Sequence, residues 1–263
     1  MNKMPEFRRY GSAPFRVAVV HGGPGAAGEM APVARMLSSV FGVIEPMQTA
    51  DSVRGQVDEL ARALEAGAGC PAILVGFSWG AWLGFLTAAR HPSLVRKLIV
   101  IGAGPFEEAY AASIHAVRME RLSEREREEA ESLMHRMADP SRPDEIETFA
   151  RLGALLGRAD TFDPLDTRPD ETTFRPDIFR SVWPEAAAMR KNGTLLEAAR
   201  RIRCPVVAIH GNFDPHPAEG VRVPLSRVLS DFRFLLLESC GHKPWVERRA
   251  AEGFFRNLRE EIA

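Results

Sequence analysis

Val75-Gly76-Phe77-Ser78-Trp79-Gly80-Ala81-Trp82 is the stretch on which the reading of this chain turns. Before it, Cys70-Pro71-Ala72-Ile73-Leu74-Val75 is an apolar run short enough for a buried strand. After it, the apolar residues Ala81 to Ala89 run too long for a strand and read as a buried helix. Gly76-x-Ser78-x-Gly80 then fits a strand-to-helix turn that holds a nucleophilic serine strained at its tip. A β-carbon at Gly76 or Gly80 would crowd the neighbouring strand and helix. A helix starting after Ser78 also aims unpaired N–H groups and the positive end of its dipole at a reacting oxygen. The five-residue pattern arises by chance in surface turns; the strand before and helix after set Ser78 apart.

Working outward, Phe15 to Val20 is a valine-rich strand that ends at His21-Gly22-Gly23-Pro24-Gly25, a loop no helix or strand tolerates. Its glycines let backbone N–H groups turn inward, as the stabilisation of a developing oxyanion requires. His21 reads as a structural support of that loop. Glu29 to Val40 is expected as a helix, with Met30, Val33, Ala34, Leu37 and Val40 on one apolar face. A short strand at Gly42-Val43-Ile44, a helix from Ser52 to Ala66 and a strand at Lys97 to Ile101 complete the first half. Strands alternating with helices predict a mostly parallel sheet covered on both faces.

From Phe106 to Arg200 no clear strand appears. Glu124 to Met137 reads as a charged, solvated helix with a capping box at Ser123 and Glu126. Asp139-Pro140-Ser141-Arg142-Pro143 breaks it, Glu145 to Leu156 reads as a further helix, and Asp163 to Pro176 as loop. We therefore expect a core of residues 1–104 and 201–263 and a helical cap of residues 105–200, inserted where ligands bind in open α/β sheets. The alternation resumes with a strand at Val206 to Ile209, a helix from Ala218 to Leu229, a strand at Phe232 to Leu237 and a last helix from Glu247 to Glu260.

Ser78, Asp214 and His242 each fall just after a predicted strand, so a parallel sheet brings all three to one edge. A serine hydroxyl needs an imidazole to take its proton, and the imidazole needs a carboxylate to fix its tautomer. Glu238, Asp163 and Asp166 are rival acids: the first ends a strand itself, and the others lie in the insertion. His216 reads either as a pocket residue or as a satisfied loop histidine.

The His21–Gly25 loop, the Gly76–Gly80 turn, Asp214-Pro215 and Gly241-His242 together resemble the α/β-hydrolase superfamily. Within it they are most similar to the proline iminopeptidase-like branch, which shares the His-Gly-Gly-Pro-Gly loop and a Ser-Trp-Gly turn. The resemblance covers residues 15–104 and 204–260. It implies an α/β-hydrolase fold, a Ser78–His242–Asp214 triad, a helical cap, and oxyanion donors at the N–H groups of Trp79 and Gly23, with Gly22 the lesser candidate. Two features depart from the branch. Glu45-Pro46-Met47-Gln48-Thr49-Ala50-Asp51 stands where the peptidases carry an Asp-Gln-Arg-Gly-like loop, and one or two leading strands of the usual eight are expected to be missing.

Composition limits the function further. The 263 residues are 45% hydrophobic and 26% charged with a net charge of −1, which points to no nucleic acid or membrane surface as partner. No metal-ligand spacing occurs among His and Cys, and no cofactor is expected. Cys70, Cys204 and Cys240 are expected to be free thiols, with Cys70 and Cys204 buried. The first residues lack a signal-peptide pattern, so a cytoplasmic protein is expected. The leading expectation is a hydrolase that cleaves a small ester or amide through an acyl-enzyme. The alternatives are an aminopeptidase acting on a short peptide, or a non-catalytic binding protein on the same fold.

Overall fold

Runs rich in valine, isoleucine and leucine pair into one sheet whose two faces are both covered. The structure is a computed structural model and describes residues 6–138, 146–165 and 172–263. Its strands are β1 (Glu6–Tyr10), β2 (Phe15–Val20), β3 (Ala26–Ala27), β4 (Gly42–Met47), β5 (Ala72–Phe77), β6 (Val95–Ile101), β7 (Thr173–Phe174), β8 (Val206–Gly211) and β9 (Phe232–Leu237). Its α-helices are α1 (Ala31–Leu37), α2 (Val53–Gly67), α3 (Trp79–Arg90), α4 (Ile114–Glu120), α5 (Glu124–Ala138), α6 (Ile146–Ala159), α7 (Pro176–Lys191), α8 (Thr194–Glu197), α9 (Glu219–Val228) and α10 (Ala251–Ile262).

Seven strands form the main sheet in the order β1-β4-β2-β5-β6-β8-β9. Only the edge strand β1 runs antiparallel, against β4. After β2 the chain adds β4 on one side and then returns to place β5 on the other. The switch point lies between β2 and β5, and in open α/β sheets the crevice at such a point receives ligands. Here the glycine-rich loop after β2 and the serine turn after β5 flank it.

Alternate residues along each strand serve opposite layers. Val17, Val19, Ile73, Val75, Ile99 and Ile101 pack under α1 and α10 with Leu37, Phe254 and Leu258. Ala18, Val20, Leu74, Leu98 and Val100 pack on the other face against α2 and α3, with Leu60, Leu64, Leu83 and Phe85. A separate apolar cluster (Met119, Leu122, Ala130, Leu133, Leu152 and Leu155) joins α4, α5 and α6 to one another. No helix among the described residues is long and apolar enough to cross a membrane.

Several expectations need correction. Glu6–Tyr10 is a strand without a clear apolar period, because its charged residues are exposed at the sheet edge. β4 runs on through Met47, so Glu45 to Met47 is strand and not loop. Glu45 is fully buried there and accepts a 2.7 Å hydrogen bond from the Tyr10 hydroxyl, which burial and that carboxylate push up to about 12. α1 ends at Leu37, and Val40 lies beyond it, 65% exposed. The three cysteines are free, but Cys70 is exposed and Cys204 half-buried. α7 is not expected from the sequence, yet Pro176 opens it and Pro184 lies within it. Thr173–Phe174, expected as loop, pairs with Ala26–Ala27 beside the glycine-rich loop. The last helix begins at Ala251 and not at Glu247. The expected break at Asp139–Pro143 lies outside the described residues.

Candidate active site

Ser78 sits at φ +51° and ψ −112°, a conformation that costs a non-glycine residue energy and that its neighbours enforce. Its N–H donates to the Ile101 carbonyl at 2.9 Å, extending the pairing of β5 with β6 by one residue. The chain then turns so tightly that a β-carbon on Gly76 would lie 2.1 Å from the Gly80 carbonyl oxygen. One on Gly80 would lie 2.4 Å from the carbonyl oxygens of Val20 and His21. Trp79 opens α3, whose first N–H groups have no acceptor within the helix.

β8 delivers Asp214 and β9 delivers His242 to the same edge. His242 Nδ1 lies 2.7 Å from Asp214 Oδ2, and its Nε2 lies 3.1 Å from Ser78 Oγ. With Nδ1–H donating to the carboxylate, Nε2 is left as the acceptor for the serine hydroxyl. The Phe77 ring packs on the imidazole with centroids 4.8 Å apart. Gly102, at φ +50°, leaves room on another side, where a β-carbon would meet the His242 carbonyl oxygen at 2.8 Å. Burial opposes the imidazolium, but the Asp214 carboxylate outweighs it and holds His242 above its ordinary pKa. Burial likewise opposes the Asp214 anion, and His242, His216 and His210 together keep it well below the usual carboxylate range.

The rival acids stand elsewhere. Glu238 accepts from the Asn212 side chain, and Asp163 faces Arg248 and Arg249, each at 3.5 Å. Asp166 lies outside the described residues. In the glycine-rich loop, His21 Nδ1–H donates to the Gly22 carbonyl at 2.7 Å, and burial pushes the His21 pKa down, keeping the ring neutral. A β-carbon on Gly22 would strike Glu29 Oε2 at 2.6 Å and the Phe77 ring at 2.7 Å, and Gly23 adopts φ +33°. Glu29 is buried beneath this loop and pairs at 2.8 Å with Lys243, the residue after His242.

Sequence reasoning missed a set of residues that fasten these loops. His242 N–H donates to the Asp160 carbonyl at 2.8 Å. Glu247, fully buried, accepts from Gly241 N–H at 2.7 Å, Phe162 N–H at 2.9 Å and Asp163 N–H at 2.8 Å. Arg121 donates to the carbonyls of Ala159 at 3.0 Å and Phe213 at 2.8 Å, its guanidinium 3.6 Å from the Phe213 ring centroid. Spacing did not mark them: apart from the Gly241–Glu247 bond, six residues apart, each joins segments far apart in the chain. His216 is resolved as well: its backbone N–H and its Nδ1 both face Asp214 Oδ1, at 2.9 and 2.8 Å, and its ring lines the cavity above Ser78.

Three comparisons with known proteins bear on the family and the fold. The profile described as the alpha/beta hydrolase family matches residues 10–256. The chain belongs to that family. A search of curated proteins finds no match. Among solved structures this α/β hydrolase is similar to VinJ, with a TM-score of 0.69 and 20% identity over 97% of this chain and 93% of that one. It is similar to E-2-(acetamidomethylene)succinate hydrolase, with a TM-score of 0.63 and 22% identity over 98% and 94% of the two chains. It also resembles the monoacylglycerol lipase of Paleococcus ferrophilus, with a TM-score of 0.58 and 16% identity over 98% of each. At such identities the likeness establishes the fold.

The hydrolase holds a cavity of about 230 Å³ that Ser78 and Trp79 line from the sheet side, facing Ile114, Met134, Leu156 and Trp183. Asp214, His216 and His242 bring one donor atom each within 4.8 Å of one another, a set that could ligate a metal. Both Asp214 oxygens already face imidazole nitrogens, so an ion there would have to displace those bonds.

Proposed function

We propose that this α/β hydrolase is a serine hydrolase that cleaves a small ester or amide through an acyl-enzyme on Ser78. The hydrogen-bonded line from Ser78 Oγ through His242 to Asp214, ending at the floor of a cavity, is the observation that carries the reading. His242 Nε2 takes the hydroxyl proton as Oγ attacks the substrate carbonyl, and Asp214 stabilises the resulting imidazolium. We assign the N–H groups of Trp79 and Gly23, with Gly22 the lesser candidate, to the oxyanion that forms. The imidazolium then protonates the leaving group, and water attacks the acyl-enzyme with His242 again as base. Helices α4 to α8 act as a cap in this reading, closing the cavity over Ser78 and keeping water from the reacting carbonyl.

The proline iminopeptidase-like reading rests on the His-Gly-Gly-Pro-Gly loop and the Ser-Trp-Gly turn. An aminopeptidase also needs an anionic clamp for the substrate's ammonium, and among the described residues no carboxylate lines the cavity. We therefore favour the ester or non-peptide amide. Treatment with a fluorophosphonate followed by peptide mapping tests the mechanism: one adduct on Ser78 is expected, together with loss of p-nitrophenyl ester hydrolysis in Ser78→Ala. An adduct elsewhere, or undiminished hydrolysis by that variant, would refute it.

A further inference from the structure

The cavity beside Ser78 shows charge of one sign. Arg118 and Arg190 line it, with His115 and His216, while among the described residues no acid does. Both arginines are anchored from behind. Arg118 gives Nε and Nη2 to Asp160 at 2.7 and 2.6 Å, and Arg190 gives Nε to Glu108 at 2.7 Å. Asp160 and Glu108 are not among the residues that line the cavity, whereas both arginines are. A guanidinium has five N–H donors in a planar fork, and these anchors leave donors on both side chains for a further acceptor. Arg118 is 21% and Arg190 13% exposed, sheltered enough that a bond made there is only partly screened. The wall beside them is flat and apolar. Trp82 and Trp183 stack 6.0 Å apart at 4°, and Arg190 lies 5.8 Å from the Trp82 ring.

An ammonium entering this space would meet cations and find no carboxylate. A planar anion on an apolar body would meet both of its complements, the guanidinium forks and the tryptophan faces. We propose that the substrate is an ester or amide whose apolar body carries a carboxylate, held by Arg118 and Arg190 while the scissile carbonyl lies at Ser78. The inference rests on the hydrolase reading only for the identity of the scissile group.

Three probes share one apolar body and differ in charge: hydrocinnamate, hydrocinnamamide and phenylpropylamine. Their binding to the Ser78→Ala protein is followed by the fluorescence of the tryptophans in the cavity wall. Hydrocinnamate is expected to bind about tenfold more tightly than the amide, the size of one added hydrogen bond to a charged group, and the amine more weakly than either. Arg190→Gln, whose partner Glu108 is half exposed, should bring anion and amide within about threefold. Arg118→Gln serves as the second variant. Equal binding of all three probes, no binding by any, preference for the amine, or an anion preference that survives in both variants would overturn the inference. Phosphonate labelling and ester hydrolysis by the unaltered enzyme report on the hydrolase reading separately. A protein that binds the anion through Arg190 yet never labels at Ser78 would sink that reading and leave this one standing.

Discussion

Replacing Glu247 should reveal how firmly His242 is held. Its two oxygens accept three backbone N–H groups: Oε1 those of Gly241 and Phe162, Oε2 that of Asp163. Glu247→Ala leaves all three donors without this acceptor, and a deprived buried donor costs about 1–3 kcal/mol. Three buried donors would sum to roughly 3–9 kcal/mol, but only the Gly241 bond is buried and water can reach the other two, so the lower end is expected, about 3–5 kcal/mol. Glu247→Gln is the sharper variant. With its carbonyl at the Oε1 position it keeps two bonds and sets an NH₂ group against Asp163 N–H, for a loss of about 1–3 kcal/mol. Urea unfolding by linear extrapolation measures both, and the order should be Ala worst, Gln intermediate, unaltered protein best. Turnover should follow the same order, since loosening Gly241 shifts the imidazole next to it, and a misplacement of about 1 Å can cost up to a hundredfold. An alanine variant within about 1 kcal/mol of the unaltered protein, or a glutamine variant as unstable as alanine, would refute the assignment of Glu247 as the fastening of this loop.

In the proposed mechanism His242 acts in its neutral form, and since its pKa is held above the ordinary 6.5, kcat/KM should rise with pH through a midpoint above that value. Asp214→Asn removes the largest raising influence while burial remains, so the midpoint should fall, and turnover should drop by something like 10⁴-fold through the wrong tautomer. Glu238→Gln should change activity little; if it is the damaging change and Asp214→Asn is mild, the acid has been misassigned. Gly80→Ala drives a β-carbon against the carbonyls of Val20 and His21 and should destabilise by about 3 kcal/mol or prevent folding. Gly153→Ala in α6 meets nothing within 4 Å and should raise Tm, being worth about 1 kcal/mol in helix propensity. Acetylating the amine of an aminoacyl naphthylamide should change kcat/KM by less than about tenfold, and a hundredfold preference for the free amine would place the enzyme among aminopeptidases.

Where burial on one or two faces imposed a period, the chain disclosed its fold directly. β2 and β9 keep the bounds read from their apolar runs, and Ser78 was marked by two glycines whose absent side chains the packing demands. Asp214 and His242 were legible because parallel strands must end at a common edge, so position in the alternation stood in for position in space. The edge strand β1 was hidden because exposure on its outer side erased the alternation. α7 was hidden because its prolines signal a break whether they open a helix or end one. The fastenings at Asp160, Glu247 and Arg121 left no local trace at all. A carbonyl acceptor can belong to any residue, and a buried carboxylate binding amide groups looks, in sequence, like any surface glutamate.

The bonds between α4–α7 and the site loops bear on what a damaged molecule would do. Gly25 is tied to Arg175 by a 2.8 Å backbone bond, Phe213 to Arg121, and His242 to Asp160. The glycine-rich loop, the Asp214 turn and the His242 loop thus each take one of their supports from the helical segment. A molecule whose helical segment has come undone, through heat or proteolysis, loses those supports together. Such a molecule would be inert rather than indiscriminate. On the proposed mechanism it would expose Ser78 with no imidazole held beside it, and so would spare the bystander esters that an uncovered but intact site would attack.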